Sequence, residues 1–509
     1  MNNNKKKLLL KSALKEHHAG NLDSADKIYR DILKLDSKDF DANHLHGAVL
    51  SQNKKFAEAV NFFAIAYESS NVTCELLNNY GIALRNLRAF TECEKMLSQA
   101  IELDNKFPNT YLNLSNCYVS QEKYNDAVAI LKKSIDLDMN VLRCQIEIVS
   151  ILFSSLNESF SEDTLNNLKD NLVSLSKSND GAAISKCALI YHNIGEIEKS
   201  LELFKKSEKI FSESLPNLET LKKIESKGVI ESFVKHEFEQ IRHIDSDQDG
   251  IRNMKITQEF YNKLENLVII PSSKYSDNDY LFISELHKVR YNKPPKIQKN
   301  YINTDIDVNS IENSYCESTP EIAIVDDFLS LSFLNELRIF FRCANIYKYP
   351  YSRGYIGAFL GKGMANRALL EFSNELTKRF KKIFHDYYLS QAWSFKYDST
   401  KPGIGIHADD AKVNVNFWIT DEKSNKNKDS GGMIIWKKTP DLRASFHDFN
   451  SIKSISKMNE EVKNADFVKV PYQSNRAVIF NSKLYHATDN IDFLDNYNDR
   501  RVNITFLYK

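Results

Sequence analysis

Toward the C-terminal end of the chain, Gly405-Ile406-His407-Ala408-Asp409 places an imidazole and a carboxylate two positions apart. On an extended segment such residues point to the same side, so His407 and Asp409 aim at one point. A second imidazole, His486, ends the stretch Asn481-Ser482-Lys483-Leu484-Tyr485-His486. Two histidines and one carboxylate make a metal face of three protein ligands with positions left open for others. Alone, His486 reads as a core histidine, and a lone His-x-Asp is a common chance pair; the order of a third element adds weight. Arg501 opens the run Arg501-Val502-Asn503-Ile504-Thr505-Phe506-Leu507-Tyr508, and a guanidinium fork pairs bidentately with a carboxylate. Arg500 points to the opposite face of the same run. Asp410 is an alternative carboxylate, but its spacing from His407 puts it on the wrong face.

These side chains need strands to hold them. Glu321–Val325 is a short β-type run, followed by helical patterns at 331–344 and 365–387. Then come Ala392–Tyr397, Val413–Thr420, Met433–Trp436, Phe467–Val470, Arg476–Phe480 and Val502–Tyr508, with period-two alternation or β-branched enrichment. Short strands with polar loops predict a closed or double-sheet antiparallel barrel. Trp393, Trp418 and Trp436 read as core filling. Arg476 reads as a strand-entry residue with an ion partner, and Asp421–Asp429 as a solvated hairpin loop.

The first part of the chain repeats with a period of 34. Stepping from Ala13 gives Gly47, Gly81 and Ser115; from Ala25, Ala59, Cys93 and Ala127; from Tyr29, Phe63, Leu97 and Leu131. Small residues let two antiparallel helices approach while the bulky one fills the groove beside them, and each hairpin must be covered by the next. These units resemble tetratricopeptide repeats over about 8–142, with a further copy at 181–214 carrying Ala188, Ser200, Phe204 and Ser207 in register. The resemblance implies a curved helical surface for a peptide or protein partner; packing on its own chain or dimerisation is the plainer alternative. The expected division is 1–142 for the repeats, 143–294 for a helical extension and linker, and 295–509 for the β-rich domain.

Bulk properties exclude some classes. Lys+Arg and Asp+Glu both count 68, so no global basic field argues for nucleic acid or an anionic membrane. Leu8-Leu9-Leu10 is cut short by Lys11 and cannot serve as a signal-peptide core, and no apolar run is long enough to span a bilayer. The seven cysteines contain no CxxC pair, which predicts reduced thiols in a cytoplasmic protein.

From about 320 to the end, the chain resembles the prolyl-hydroxylase-like branch of the iron(II)/2-oxoglutarate oxygenases, a double-stranded β-helix (jelly-roll) fold. Ile322-Ala323-Ile324-Val325-Asp326-Asp327-Phe328-Leu329-Ser330 resembles the entry to that domain, and Gly431-Gly432-Met433 the Gly-Gly pair that opens a mid-domain strand. The resemblance implies iron(II) on His407, Asp409 and His486, and Arg501 on the C5 carboxylate of 2-oxoglutarate. The resemblance likewise implies that Tyr397 contacts the same cosubstrate and makes Asn416 and Thr505 candidates for lining the pocket. An extra polar stretch, Ile491 to Asp499, departs from the family between His486 and Arg501. The implied activity is a dioxygenase reaction using O2, with ascorbate as reductant. The carboxylate of Asp409 favours hydroxylation, since halogenating relatives replace it with a small residue. Three readings follow: an oxygenase that recruits a protein or peptide through its repeats, an oxygenase of a small molecule, and a catalytically inactive interaction scaffold.

Overall fold

Alternating small and bulky residues dictate what the first 177 residues do. The computed structural model describes residues 3–107, 109–158, 161–225, 228–245, 256–399, 401–441, 449–450 and 454–509. The chain forms two compact units, Met1–Lys177 and Ser178–Lys509. In the first, antiparallel helix pairs follow one another from Asn3–His18 to Glu162–Leu175. Ala25, Ala59, Cys93 and Ala127 are fully buried, as are Tyr29, Phe63, Leu97 and Leu131. A Cβ added at Gly47 would lie 2.7 Å from the Phe63 ring, and one at Gly81 would lie 2.6 Å from Leu97 Cγ. The small register is therefore a contact requirement between paired helices. Side chains of Asp39, Thr73 and Ser161 cap helix N-termini by accepting from the backbone amides of Ala42, Leu76 and Thr164.

The second unit begins with the helix pair Gly181–Asn193 and Ile197–Glu213, where Ala188, Ser200, Phe204 and Ser207 are buried in the repeat register. This pair is tied to the β-rich region. Ser207 Oγ lies within hydrogen-bond distance of Gly181 O (2.7 Å) and Gly361 O (2.8 Å). Asn193 exchanges two side-chain bonds with the backbone of Leu389. Sequence texture changes at 142 and 294, but the compact units divide between Lys177 and Ser178. The cause is packing: Val141–Glu158 stacks on the helix before it, while the last repeat pair docks on the turn Leu360–Lys362 and on Leu389.

Among the described residues ten strands follow: β1 (Ile322–Val325), β2 (Tyr349–Tyr351), β3 (Tyr355–Phe359), β4 (Leu389–Tyr397), β5 (Val413–Trp418), β6 (Met433–Trp436), β7 (Phe467–Val470), β8 (Ala477–Asn481), β9 (His486–Thr488) and β10 (Val502–Tyr508). They form a seven-stranded sheet, β1-β8-β5-β10-β4-β3-β2, and a three-stranded sheet, β7-β6-β9. Every pairing is antiparallel. Phe395, Tyr397, Trp418, Val478 and Phe480 of the large sheet share one core with Met433, Ile435 and Val470 of the small one. The outer face of the large sheet is covered by helices: Phe333 and Phe372 from Leu331–Cys343 and Arg367–Arg379 join a ring cluster that includes Phe417 and Phe506. Of these strands, β2, β3 and β9 go beyond the sequence expectation. Arg476 has the ion partner expected of it, Asp326, at 2.5 Å and 3.0 Å.

Candidate metal centre

The segment before β5 and strand β9 lie opposite one another. His407 N donates to His486 O (3.0 Å), and His486 N donates back to His407 O (2.8 Å). Directly paired residues in an antiparallel ladder project to the same face, so the two imidazoles meet, with ring centroids 4.2 Å apart. Asp409 joins them two residues on, its amide donating to Ser482 O (3.0 Å). Its carboxylate lies 3.9 Å from His407 Nε2 and 3.5 Å from His486 Nε2. One ligand atom from each of the three lies within 4.8 Å of the others.

Local hydrogen bonds decide which ring nitrogens face the centre. His407 Nδ1 donates to Gly405 O (2.9 Å) and His486 Nδ1 donates to Leu484 O (2.8 Å). Both rings thus use the same device, a bond to the carbonyl two residues upstream. That fixes the Nδ1–H tautomer and turns both Nε2 lone pairs inward. Burial, reinforced by the neighbouring His486, pushes His407 down to about 4, so the imidazole is neutral at neutral pH. Burial alone would raise Asp409, but its hydrogen bond with His486, its electrostatic interaction with both imidazoles and the Asn414 amide (3.1 Å) outweigh it and hold the carboxyl below its ordinary value. A deprotonated carboxylate beside the neutral imidazole of His407 is the donor chemistry a divalent metal requires. The alternatives point away: Asp410 is exposed and paired with Lys509 (2.6 Å), and Arg500 reaches Glu239 (2.5 Å).

Arg501 lies in a recess behind this set. Its Nε donates to Gly431 O (2.6 Å) and one terminal nitrogen to Gly432 O (3.2 Å). The guanidinium lies over the rings of Tyr397 (4.6 Å) and Trp418 (5.5 Å). The Gly-Gly pair is required by close approach: a Cβ at Gly432 would lie 1.9 Å from Val470 O. Nη1 of Arg501 is buried without a hydrogen-bond partner, as are Oδ1 of Asn414, Asn416 and Asn503. Leaving such a donor unpaired costs about 1–3 kcal/mol. Thr505 Oγ1 accepts from the Asn416 amide (2.9 Å) and the Asn503 amide (3.3 Å). The recess measures about 40 Å³ and includes Tyr397, Asn416, Arg501 and Thr505. It shares Trp393, His407 and Asp409 with an outer cleft of about 510 Å³.

Three features of the site were missed by sequence reasoning. Trp393, expected as core filling, lines both recess and cleft. Asn414 holds Asp409; its i, i+2 relation to Asn416 on β5 was the available signal. Arg353, at the turn between β2 and β3, lines the cleft, and the pattern Tyr349-Pro350-Tyr351-Ser352-Arg353-Gly354-Tyr355 around it is a short hairpin signal. Of the expected solvated loop, Asp421 is instead held by Arg338 (3.0 Å) and Arg342 (3.3 Å), and Ser424 is buried.

Comparison with known proteins bears on the helical part. Residues 108–140 match the tetratricopeptide repeat family model. Solved structures with some similarity include the MamA protein (16% identity, 40% of this chain and 91% of that chain, TM-score 0.26). Another is pilF of Pseudomonas aeruginosa (16% identity, 41% and 93%, TM-score 0.33). A third is the first tetratricopeptide-repeat domain of Spaghetti bound to an HSP90 peptide (18% identity, 23% and 94%, TM-score 0.23). No curated protein matches the chain. Among the described residues no helix is long and apolar enough to cross a membrane. The chain carries tetratricopeptide repeats in its helical part, followed by a β-rich region in which His407, Asp409 and His486 converge.

Proposed function

We propose that the β-rich region is a double-stranded β-helix that acts as an iron(II)- and 2-oxoglutarate-dependent dioxygenase, hydroxylating a C–H bond of its substrate. The observation that carries this reading is a pair of features in one cavity: an inward-facing His407–Asp409–His486 set and a buried Arg501 with a free terminal nitrogen behind it. In this reading the catalytic residues are His407, Asp409 and His486, which hold the metal. Bound iron(II), with dioxygen, supplies the coupling of 2-oxoglutarate decarboxylation, which yields succinate and carbon dioxide, to substrate oxidation. Arg501 takes the C5 carboxylate, satisfying Nη1 in an environment where burial makes a charge-assisted bond strong. Tyr397 packs under that guanidinium, and Asn416 and Thr505 line the same recess. The recess alone is smaller than a five-carbon diacid needs; the outer cleft, which shares His407 and Asp409 with it, would supply the remaining space. Ascorbate serves as reductant between turnovers.

The tetratricopeptide repeats take a protein or peptide partner, which is the substrate itself in the peptide version of this reading and an assembly partner in the small-molecule version. A second reading, an interaction scaffold with an inactive barrel, is favoured by the family match at 108–140; the intact donor set favours the enzyme. Anaerobic titration of iron(II) into the protein with 2-oxoglutarate separates the two. A visible charge-transfer band that needs both additions and disappears in Asp409→Ala is the expected result. No band and no 2-oxoglutarate-dependent metal binding would leave the scaffold.

A further inference from the structure

The outer cleft carries a cation for which neither the metal nor the diacid has a use. Arg353 sits at the tip of the β2–β3 hairpin, pinned to the loop after β4: Gly403 N donates to Arg353 O (3.1 Å) and Asp398 N to Gly354 O (2.8 Å). Its own Nε donates to Gly403 O (2.7 Å). The guanidinium lies across Gly405, where a Cβ would come within 3.2 Å of its Cζ. The side chain is thus held in place two residues from His407, at the wall of the 510 Å³ cleft. Its terminal nitrogens have no hydrogen bond or ion pair among the described residues, since its one side-chain bond uses Nε. The carboxylates lining this cleft are committed elsewhere: Asp409 to the donor set and Asp410 to Lys509.

Beside the arginine stands an aromatic wall. Tyr351 and Tyr355 stack at 4.6 Å and 13°, and Phe395 meets both edge-on at 5.8 Å and 5.0 Å. Trp393 continues the wall at 6.2 Å from Phe395. A fixed, always-charged fork next to a flat apolar surface recognises a ligand with an anionic group on an apolar body. A neutral ligand would cover the guanidinium without pairing it.

We propose that Arg353 anchors the substrate, and that the substrate carries a carboxylate or a phosphate on an apolar body laid along Tyr351, Tyr355 and Phe395. This rests on the oxygenase reading only in making the bound acid the molecule that is oxidised. The test is calorimetric titration of the metal-free full-length chain with phenylacetate, phenyl phosphate and phenylacetamide. One or both acids bind roughly tenfold to a hundredfold more tightly than the amide, and the stronger of the two identifies the anion. Arg353→Gln brings the acid down to the level of the amide, and Arg353→Lys, which keeps the charge and loses the fork, falls between. Tyr351→Leu, at a residue already 38% exposed, weakens acid and amide alike. Equal binding of acid and amide by the unaltered chain overturns the proposal, as does no binding of any probe. It is also overturned if Arg353→Gln binds the stronger acid as tightly as the unaltered chain does. Because no metal is present, a missing iron–2-oxoglutarate band would sink the oxygenase reading without changing these titrations.

Discussion

In the helical unit, the repeating buried positions are small or apolar: Ala25, Ala59, Cys93 and Ala127 against Tyr29, Phe63, Leu97 and Leu131. In the β-rich unit, one face of β5 and β10 turns Asn414, Asn416, Asn503 and Thr505 inward, next to Arg501, Asp409 and His486. Unpartnered atoms occur in both interiors. Those of the helical unit, on Tyr29, Asn43, His46, Ser51 and Thr110, belong to three different helices. In the second unit, Arg501 Nη1 and three amide oxygens line one recess. Each buried orphan costs about 1–3 kcal/mol, and apolar residues there would have made a more stable core. The first interior is filled by its own side chains; in the proposed reading the second is completed by a bound metal and diacid.

Substitutions can break that contrast. Short of losing a metal ligand, the largest effect belongs to Arg501. Arg501→Lys keeps a charge but cannot hold both Gly431 and Gly432 carbonyls and still present a nitrogen. We expect the KM for 2-oxoglutarate to rise by roughly tenfold to a hundredfold; steady-state kinetics showing an unchanged KM would remove Arg501 from the cosubstrate. Asn414→Ala comes next. Loss of the group that orients Asp409 should weaken iron(II) binding by about tenfold or more, measured by competition with a chelator, while unaltered affinity would make Asn414 a packing residue only.

Gly81→Ala tests the other interior. The added Cβ meets Leu97 Cγ at 2.6 Å, and forcing the pair apart should cost about 1–3 kcal/mol. The expected readout is a lower Tm for the helical unit with no change in 2-oxoglutarate KM; a coupled loss of both would contradict the separation of roles. The smallest effect is a pH dependence from His192, which burial pushes down to about 4. The unfolded chain takes up this proton near 6.5 and the folded chain resists it, so stability is complete above about pH 6.5 and declines as pH falls toward 4. Just below the unfolded pKa the loss approaches about 1.4 kcal/mol per pH unit. Denaturant midpoints at pH 7 and pH 5 check this, and His192→Asn should reduce the difference by this histidine's share, leaving that of His236, His287 and His407.

Legibility in the sequence followed the range of the interaction. The small and bulky registers at intervals of 34 are contacts between consecutive helices, so a period search finds them. His407 and Asp409 share a face because they are two apart, and the order of His486 and Arg501 after them was readable. Strands β2 and β9 span three residues each, too short for alternation to be seen, and Gly357 interrupts β3. The hairpin around Arg353 carried a local signal, but its place in the cleft did not, because three hydrogen bonds to a loop some fifty residues later create it. The ring-locking bonds to Gly405 and Leu484 are local, but recognising them required knowing that both histidines sit in one antiparallel bridge.

The most direct measurement is succinate formation from 2-oxoglutarate by the full-length protein with iron(II) and ascorbate and no added substrate, set against His407→Ala. The account predicts slow, iron-dependent succinate release from the unaltered chain and none above background from the variant. Equal release from both, or no release together with no 2-oxoglutarate-dependent iron binding, would contradict it.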